Sequence, residues 1–321
     1  MINGKLRRGF TFIELLFVIV ILGIVGGIAL EAVRQYYEGI YKTQTYTQRV
    51  AEADQILDKL TRYFENAIDV SIVNLDQDEN DAALDGGECA EPGEEANEAT
   101  AHDYTVAFLG VDVDSLRTGN TPGWSEQAST AFVSTTSRTF RFSDSNLSGS
   151  DATITALYPA SNLVNSTFYN YGRANSSSVV GACSNFNWDN AGNLDGYSII
   201  NGIDYLTNTV TVAESFVNSD LRDKKYLIRS GYAFRVLDDG TLTMYFNFRP
   251  WKGEIYTAGE TSVLGKNVAS FYADFNNTNS FNDRGSVWRL KVCMQGLESN
   301  LTNSDIAALE ICRERRVRVR Y

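Results

Sequence analysis

The sequence predicts an α+β fold in which one long amino-terminal α-helix packs on a β-rich globular domain. Three observations point there. Near the amino terminus an unbroken apolar run passes directly into an amphipathic one, between Phe10 and Ile68. From Tyr104 onward, runs rich in β-branched and aromatic residues dominate. Among them, "KYLIRSGYAFRVLDDGTLTMYFNFRPW" sets two strand-like halves on either side of Asp239-Gly240, a strong hairpin signal. A chain of 321 residues has room for such a helix plus one sizeable globular domain, or two small ones.

The apolar run from Phe10 to Leu30 holds 21 residues and one charge, Glu14. As a helix it spans roughly 30 Å, enough to cross a bilayer core. A secretory signal peptide has a shorter apolar region followed by a small-x-small cleavage site; here "IALEAVRQYYEG" reads as continuing helix. Lys5, Arg7 and Arg8 hold the amino end in the cytoplasm by the positive-inside rule, which leaves the body outside. An acid within a span costs a few kcal/mol on insertion scales and normally has a partner; the alternative for Glu14 is a carboxylate near the membrane edge that snorkels to water. Further on, Val50, Ala53, Leu57, Leu60, Phe64 and Ile68 recur at spacings of three and four, an amphipathic stripe with Glu52, Asp54, Asp58 and Lys59 on its wet side. The helix is therefore expected from Thr11 to about Ile68, roughly 85 Å. Gly23, Gly26 and Gly27 weaken its membrane half.

"RRG" followed by "FTFIELL" resembles the class III signal of type IV pilins and type II secretion pseudopilins. The resemblance covers roughly the first 70 residues. It implies that prepilin peptidase cuts after Gly9 and methylates Phe10, the new amino-terminal residue, with Glu14 in the fifth mature position. It also implies assembly with other pilin or pseudopilin subunits, in which the carboxylate of Glu14 neutralises the new amine of a neighbour. In low dielectric such a pair matters more than in water, although each ion is desolvated to form it. The implied organisation is a leader over 1–9, a transmembrane segment over 10–30, an amphipathic continuation over 31–72, an acidic loop over 73–103 and a β-rich domain over 104–321. The body is larger than that of most major subunits. A helix ending in "LDKLTRYFENAIDVSI", followed by "LGKNVASFYADFN" and "VWRLKVCM", looks like the J-type minor pseudopilin or the W-type minor pilin. Glu31 stands in place of the proline found midway along the helix of many pilins.

The stretch after Val73 is acidic and poor in apolar residues, and reads as a long exposed loop. Asp76, Asp78 and Asn80 match the first ligand positions of an EF-hand, but Asp81 and Gly87 occupy the positions that need glycine and glutamate. As an EF-hand it fails. The three remain candidates for a looser calcium site, with a solvated acidic loop as the default, and no other cofactor is expected. Strands are expected in "DYTVAFLGVDV", "TAFVSTTSRTFRFSD", "ATITALYP", "NTVTVAES", the Asp239-Gly240 hairpin, "NVASFYADFN", "SVWRLKVCMQ" and "EICRERRVRVRY". Asn, Ser and Gly dominate from Asn146 to Leu206, where strand signals are poor. In the last strand Val317, Val319 and Tyr321 alternate with Arg316, Arg318 and Arg320. That outer face either balances an acidic surface or docks a partner subunit's acidic surface.

Cys89, Cys183, Cys293 and Cys312 form no CxxC pair, and His102 is the only histidine, which argues against a zinc site. Outside the cytoplasmic membrane they are expected to form disulfides, Cys293 with Cys312 on neighbouring strands and hence Cys89 with Cys183. The alternative is one bridge and two buried thiols. Five Asn-x-Ser/Thr sites occur, at Asn146, Asn165, Asn175, Asn276 and Asn300. Asn146, Asn276 and Asn300 also have an acid two residues earlier, a pattern that resembles the acceptor of bacterial periplasmic oligosaccharyltransferases.

Lys and Arg number 28 against 40 Asp and Glu, and removing the leader leaves 25 against 40. Such an acidic chain is not expected to bind nucleic acid. No P-loop, dinucleotide fingerprint or Ser-His or Cys-His relay is legible, so neither an enzyme nor a small-molecule substrate is expected. Two readings remain. One is a structural, minor pilin-like subunit anchored in the bacterial inner membrane. The other is a filament-tip binding subunit for adhesion or DNA uptake, for which only the terminal arginine strand offers a surface.

Overall fold

The computed structural model describes residues 11–76, 89–90, 104–113, 130–134, 139–142, 146–159, 161–170, 186–188, 194, 196–213, 225–275, 287–295 and 310–319. The helices are α1 (Phe12–Phe64) and α2 (Leu147–Leu157). In chain order the strands are β1 (Val73–Asp76), β2 (Cys89–Ala90), β3 (Tyr104–Val111), β4 (Thr130–Ser134), β5 (Thr139–Phe142), β6 (Thr167–Asn170) and β7 (Tyr197–Asp204). They continue as β8 (Thr209–Val212), β9 (Lys225–Val236), β10 (Leu242–Phe248), β11 (Glu260–Gly265), β12 (Val268–Phe275), β13 (Val287–Met294) and β14 (Ile311–Arg318). This is the expected α+β fold. The chain divides into two units, Met1–Ala51 and Glu52–Tyr321, and α1 contributes to both.

In the second unit the strands form two antiparallel sheets. The larger runs β2-β1-β3-β9-β6-β7-β8-β5-β4, with β10 also on β9 and β11 on β10; the smaller is β12-β13-β14. Alternation of side chains across a strand lets β3 and β9 feed two cores at once. Val106, Phe108, Phe234 and Val236 point to one side, where they meet Ala53, Ile56, Leu57, Leu60 and Phe64 of α1 and Phe271, Trp288, Leu290, Val292 and Val317 of the small sheet. Ala107, Leu109 and Ala233 point to the other, into a core with Tyr197, Phe248 and Trp251. The amphipathic stripe is thus buried as its spacing requires. On its wet side Asp54 accepts from Arg313 of β14 at 3.2 Å, and Asp58 pairs with Arg315.

The helix stops at Phe64, short of Ile68, because the next residues pair with β3. Ile68 donates its N–H to the Leu109 carbonyl, Val111 donates to the Asn66 carbonyl, and Ala67 bridges Gly110. Two indoles fix this exit: Trp288 Nε1 donates to Asp69 Oδ1 at 3.0 Å and Trp188 Nε1 to the Ser71 carbonyl at 3.1 Å. The acidic stretch does not begin as a loop. Its first residues form β1, which buries Val73 and Leu75 and pairs with β3.

"ATITALYP" is helix, not strand. Asn146 caps α2, its Oδ1 accepting the Gly149 N–H at 2.8 Å, and Leu147, Ser150 and Ile154 form the buried face. That face packs on Phe142, Phe168, Ile200, Val210 and Leu227, a third core. The hairpin at Asp239-Gly240 is present as expected. Gly240 adopts φ +74°, and its N–H donates to the Leu237 carbonyl at 2.8 Å. Hydrogen bonds from the Thr241 hydroxyl and then its N–H hold the Asp239 carboxyl below its usual value. Because the folded-state value is depressed, this local stabilisation is present at neutral pH and lost as pH falls through that value.

Cys293 and Cys312 lie directly opposite each other on β13 and β14 and form the expected disulfide. It ties down β14, which pairs only with β13 among the described strands. Cys312→Ser is expected to lower stability by about 3 kcal/mol, from the loop entropy released in the unfolded chain. Denaturant titration of parent and variant, each with and without reductant, checks this; the parent should fall to the variant's midpoint once reduced.

Candidate membrane and assembly segment

The first turn of α1 has a defined start. The Thr11 carbonyl accepts the N–H of Glu14 at 3.0 Å and of Leu15 at 3.2 Å, and the Thr11 hydroxyl donates to Glu14 Oε2 at 3.5 Å. Thr-x-x-Glu matches the capping-box pattern in sequence, with the bond here running from hydroxyl to carboxylate, and an acid in the first turn complements the positive end of the helix dipole. From the sequence Thr11 is expected only as the start of the helix. The signal that finds Thr11 is its spacing of three from the acid.

Every large apolar side chain from Phe12 to Val33 is exposed. A helix apolar all round and unburied in its own chain is unstable in water and calls for lipid or other protein. Length and composition suffice to cross a membrane. Added Cβ atoms at Gly23, Gly26 and Gly27 would meet nothing within 4 Å, so these glycines leave backbone open on the helix surface. Polar side chains return after Leu30, where Gln35 donates to Glu31 at 3.3 Å. Exposed Tyr36, Tyr37 and Tyr41 follow, the residue type that concentrates at a membrane–water boundary.

The remaining sequence-predicted residues are scattered. Gly9, Phe10, Asp78, Asn80, Cys183, Asn175, Asn276, Asn300, Arg320 and Tyr321 lie outside the described residues. Asp76 is in β1 with its backbone opposite Tyr104, and Cys89 in β2 opposite Leu75. Asn146 is exposed but serves as the α2 cap. The Asn165 side chain accepts from Lys252, and its carbonyl accepts from Trp251 Nε1 at 3.1 Å. Glu310 converges on Cys293 and Cys312, yet both sulfurs are committed to the disulfide and offer no thiolate to a metal. In β14 and the residue after it, Val317 and Val319 are buried and Arg316 and Arg318 are exposed, as alternation predicts. Arg313 and Arg315, to which sequence reasoning assigns no role, reach Asp54 and Asp58 of α1.

An exposed apolar helix with an acid in its first turn, joined to an antiparallel β body, is a pilin-like arrangement. Residues 4–30 match the family model described as the prokaryotic N-terminal methylation motif. The chain thus carries a class III prepilin signal, which implies processing by prepilin peptidase, assembly with pilins and an inner-membrane anchor; proteins of this kind are generally structural. No curated protein and no solved structure matches the chain significantly.

Proposed function

We propose that this chain is a minor pilin-like subunit of a type II secretion pseudopilus or a type IV pilus. It inserts once into the inner membrane, amino terminus in the cytoplasm and body in the periplasm. Prepilin peptidase removes residues 1–9 and methylates Phe10, after which α1 enters the filament. There the apolar surface from Phe12 to Val33 exchanges lipid for neighbouring helices, and Glu14 meets the amine of an adjacent subunit. The observation that carries this reading is the signal over residues 4–30 on a helix whose apolar side chains from Phe12 to Val33 are exposed. The size of the body supports a minor role.

A filament-tip binding function has less support. On β14, Arg313 and Arg315 are engaged with the chain's own helix, and the outer Arg316 and Arg318 are the described residues such a surface would rest on. The test is recovery of the tagged chain with the filament fraction. The subunit reading expects it to co-purify with other pilin-like subunits, even when crosslinking is confined to the membrane-proximal helices. Recovery solely as a dispersed membrane protein contradicts it.

A further inference from the structure

Two of the five Asn-x-Ser/Thr sites lie complete among the described residues, Asn146-Leu147-Ser148 and Asn165-Ser166-Thr167, and the fold treats them in opposite ways. The pattern names two polar groups, the amide of the asparagine and the hydroxyl two residues on, and a visiting enzyme has to reach both. At the first site it can. Asn146 and Ser148 are exposed. The Asn146 side chain caps α2 through its carbonyl end, Oδ1 accepting the Gly149 N–H at 2.8 Å. Among the described residues no hydrogen bond holds Nδ2, the atom that takes a glycan, or the Ser148 hydroxyl. Leu147 between them is buried in the third core, so the site is presented by opening the first turn of α2. Helix ends fray, at a free energy far below that of global unfolding.

The second site is closed. Ser166 and Thr167 are buried, at 1% and 0%. The Thr167 hydroxyl donates to the Ser198 carbonyl at 3.0 Å. Its backbone stands in β6, opposite Ile199 of β7 on one side and Ile228 of β9 on the other. Asn165 itself is tied at both ends, its Oδ1 accepting from Lys252 and its carbonyl from Trp251 Nε1. Freeing that hydroxyl pulls a strand from the middle of the larger sheet, an opening that approaches global unfolding in cost.

We propose that Asn146 takes an N-linked glycan in the folded protein and that Asn165 does not. The donor is an oligosaccharide carried on a polyprenyl pyrophosphate, and the catalyst is an oligosaccharyltransferase on the outer side of the inner membrane. Nδ2 displaces the pyrophosphate at the anomeric carbon of the first sugar. The N–C bond forms, the C–O bond breaks, one amide proton passes to a base of the enzyme, and the lipid pyrophosphate leaves. The product is a secondary amide whose Oδ1 still accepts, so the Gly149 bond, and with it the cap of α2, survives the modification. Asp144, outside the described residues, supplies the acid of the extended acceptor pattern in sequence. This rests on the reading of the body as periplasmic, where donor and enzyme meet it.

The experiment incubates the full processed chain, folded in detergent micelles, with a purified bacterial oligosaccharyltransferase and its lipid-linked donor. Glycopeptides are then quantified by mass spectrometry. A second enzyme that needs only Asn-x-Ser/Thr, without the preceding acid, is run alongside, so that the fold and not Asp144 decides between the two sites. With it, occupancy at Asn146 should exceed that at Asn165 by about tenfold or more, as the difference in opening cost requires. Asn146→Asp keeps a good helix cap and removes the amide, while Ser148→Ala removes the hydroxyl. Both should lose the glycan with helix content by circular dichroism unchanged. An acceptor peptide in the same reaction shows that each enzyme is working. A bare Asn146 beside a modified peptide overturns the proposal, and so does equal occupancy at Asn165. Because the chain is purified, neither result depends on topology or on entry into filaments, and the subunit reading stands or falls separately.

Discussion

Glu14→Val is expected to leave membrane insertion intact and to reduce incorporation into filaments at least tenfold. Removing the acid takes a charge out of the apolar run, which favours insertion. What is lost is the partner for the amine created when the leader is cut. An amine left alone among packed helices is an uncompensated buried charge, and removing one member of such a pair costs about 3–5 kcal/mol. The geometry adds a condition to the test. Glu14 also accepts from the Thr11 hydroxyl in the first turn of α1, so a frayed helix start is a second route to loss. Glu14→Gln separates the two, keeping a hydrogen-bond acceptor at the capping position while removing the charge. Both variants should fail in the filament fraction while remaining in the membrane fraction. If Gln restores incorporation, capping and not charge is what assembly needs.

Phe64→Ala is expected to lower the stability of the body by about 3–5 kcal/mol, a third or more of what holds a typical domain folded. Phe64 is fully buried at the last turn of α1. Its ring lies 4.7 Å from that of Phe108, 6.0 Å from Phe234 and 6.5 Å from Phe271, so it joins the helix to both sheets. No single neighbour can close the gap left by its removal. Urea unfolding followed by tryptophan fluorescence reads the loss, since Trp288 shares this core. Leu206→Ala is the control: at 97% exposed in the β7–β8 turn, its replacement should move the midpoint by less than about 0.5 kcal/mol. Equal effects from the two would mean that the core around Phe64 does not carry the fold.

The parts of this architecture governed by local periodicity were legible in the sequence. The stripe Ala53, Leu57, Leu60 and Phe64 is buried as its spacing demands, and Asp239-Gly240 makes the turn its backbone requirements dictate. Cys293 and Cys312 come opposite each other because two clear strands flank them in the right register. Where longer-range packing decides, the residues were silent or misleading. "ATITALYP" has a strand-like composition, but Asn146 caps it and Leu147 and Ile154 find a shared floor on β5, β6 and β8. The same asparagine was read as a glycan acceptor, and its capping role was overlooked. β6, β7 and β11 were missed: β6 is only four residues long, and β7 interrupts Tyr197, Ile199, Ile200 and Ile203 with Ser, Asn and Gly, while their large side chains Phe168, Tyr169 and Tyr197 pack on partners distant in the chain. The ion pair between Asp54 and Arg313 joins residues 259 positions apart, and no local pattern announces it. Of the candidate assembly segment, the apolar run and Glu14 were evident from composition alone. Thr11 needed attention to capping.

The central claim is that the amino terminus is a prepilin signal, and the mass of the processed chain tests it most directly. Protein extracted from membranes of a host that contains prepilin peptidase should begin at Phe10, and its amino-terminal peptide should be one methyl group heavier than the sequence requires. Retention of Met1 to Gly9, or a cut near Ala29 that removes the apolar run, would contradict the account.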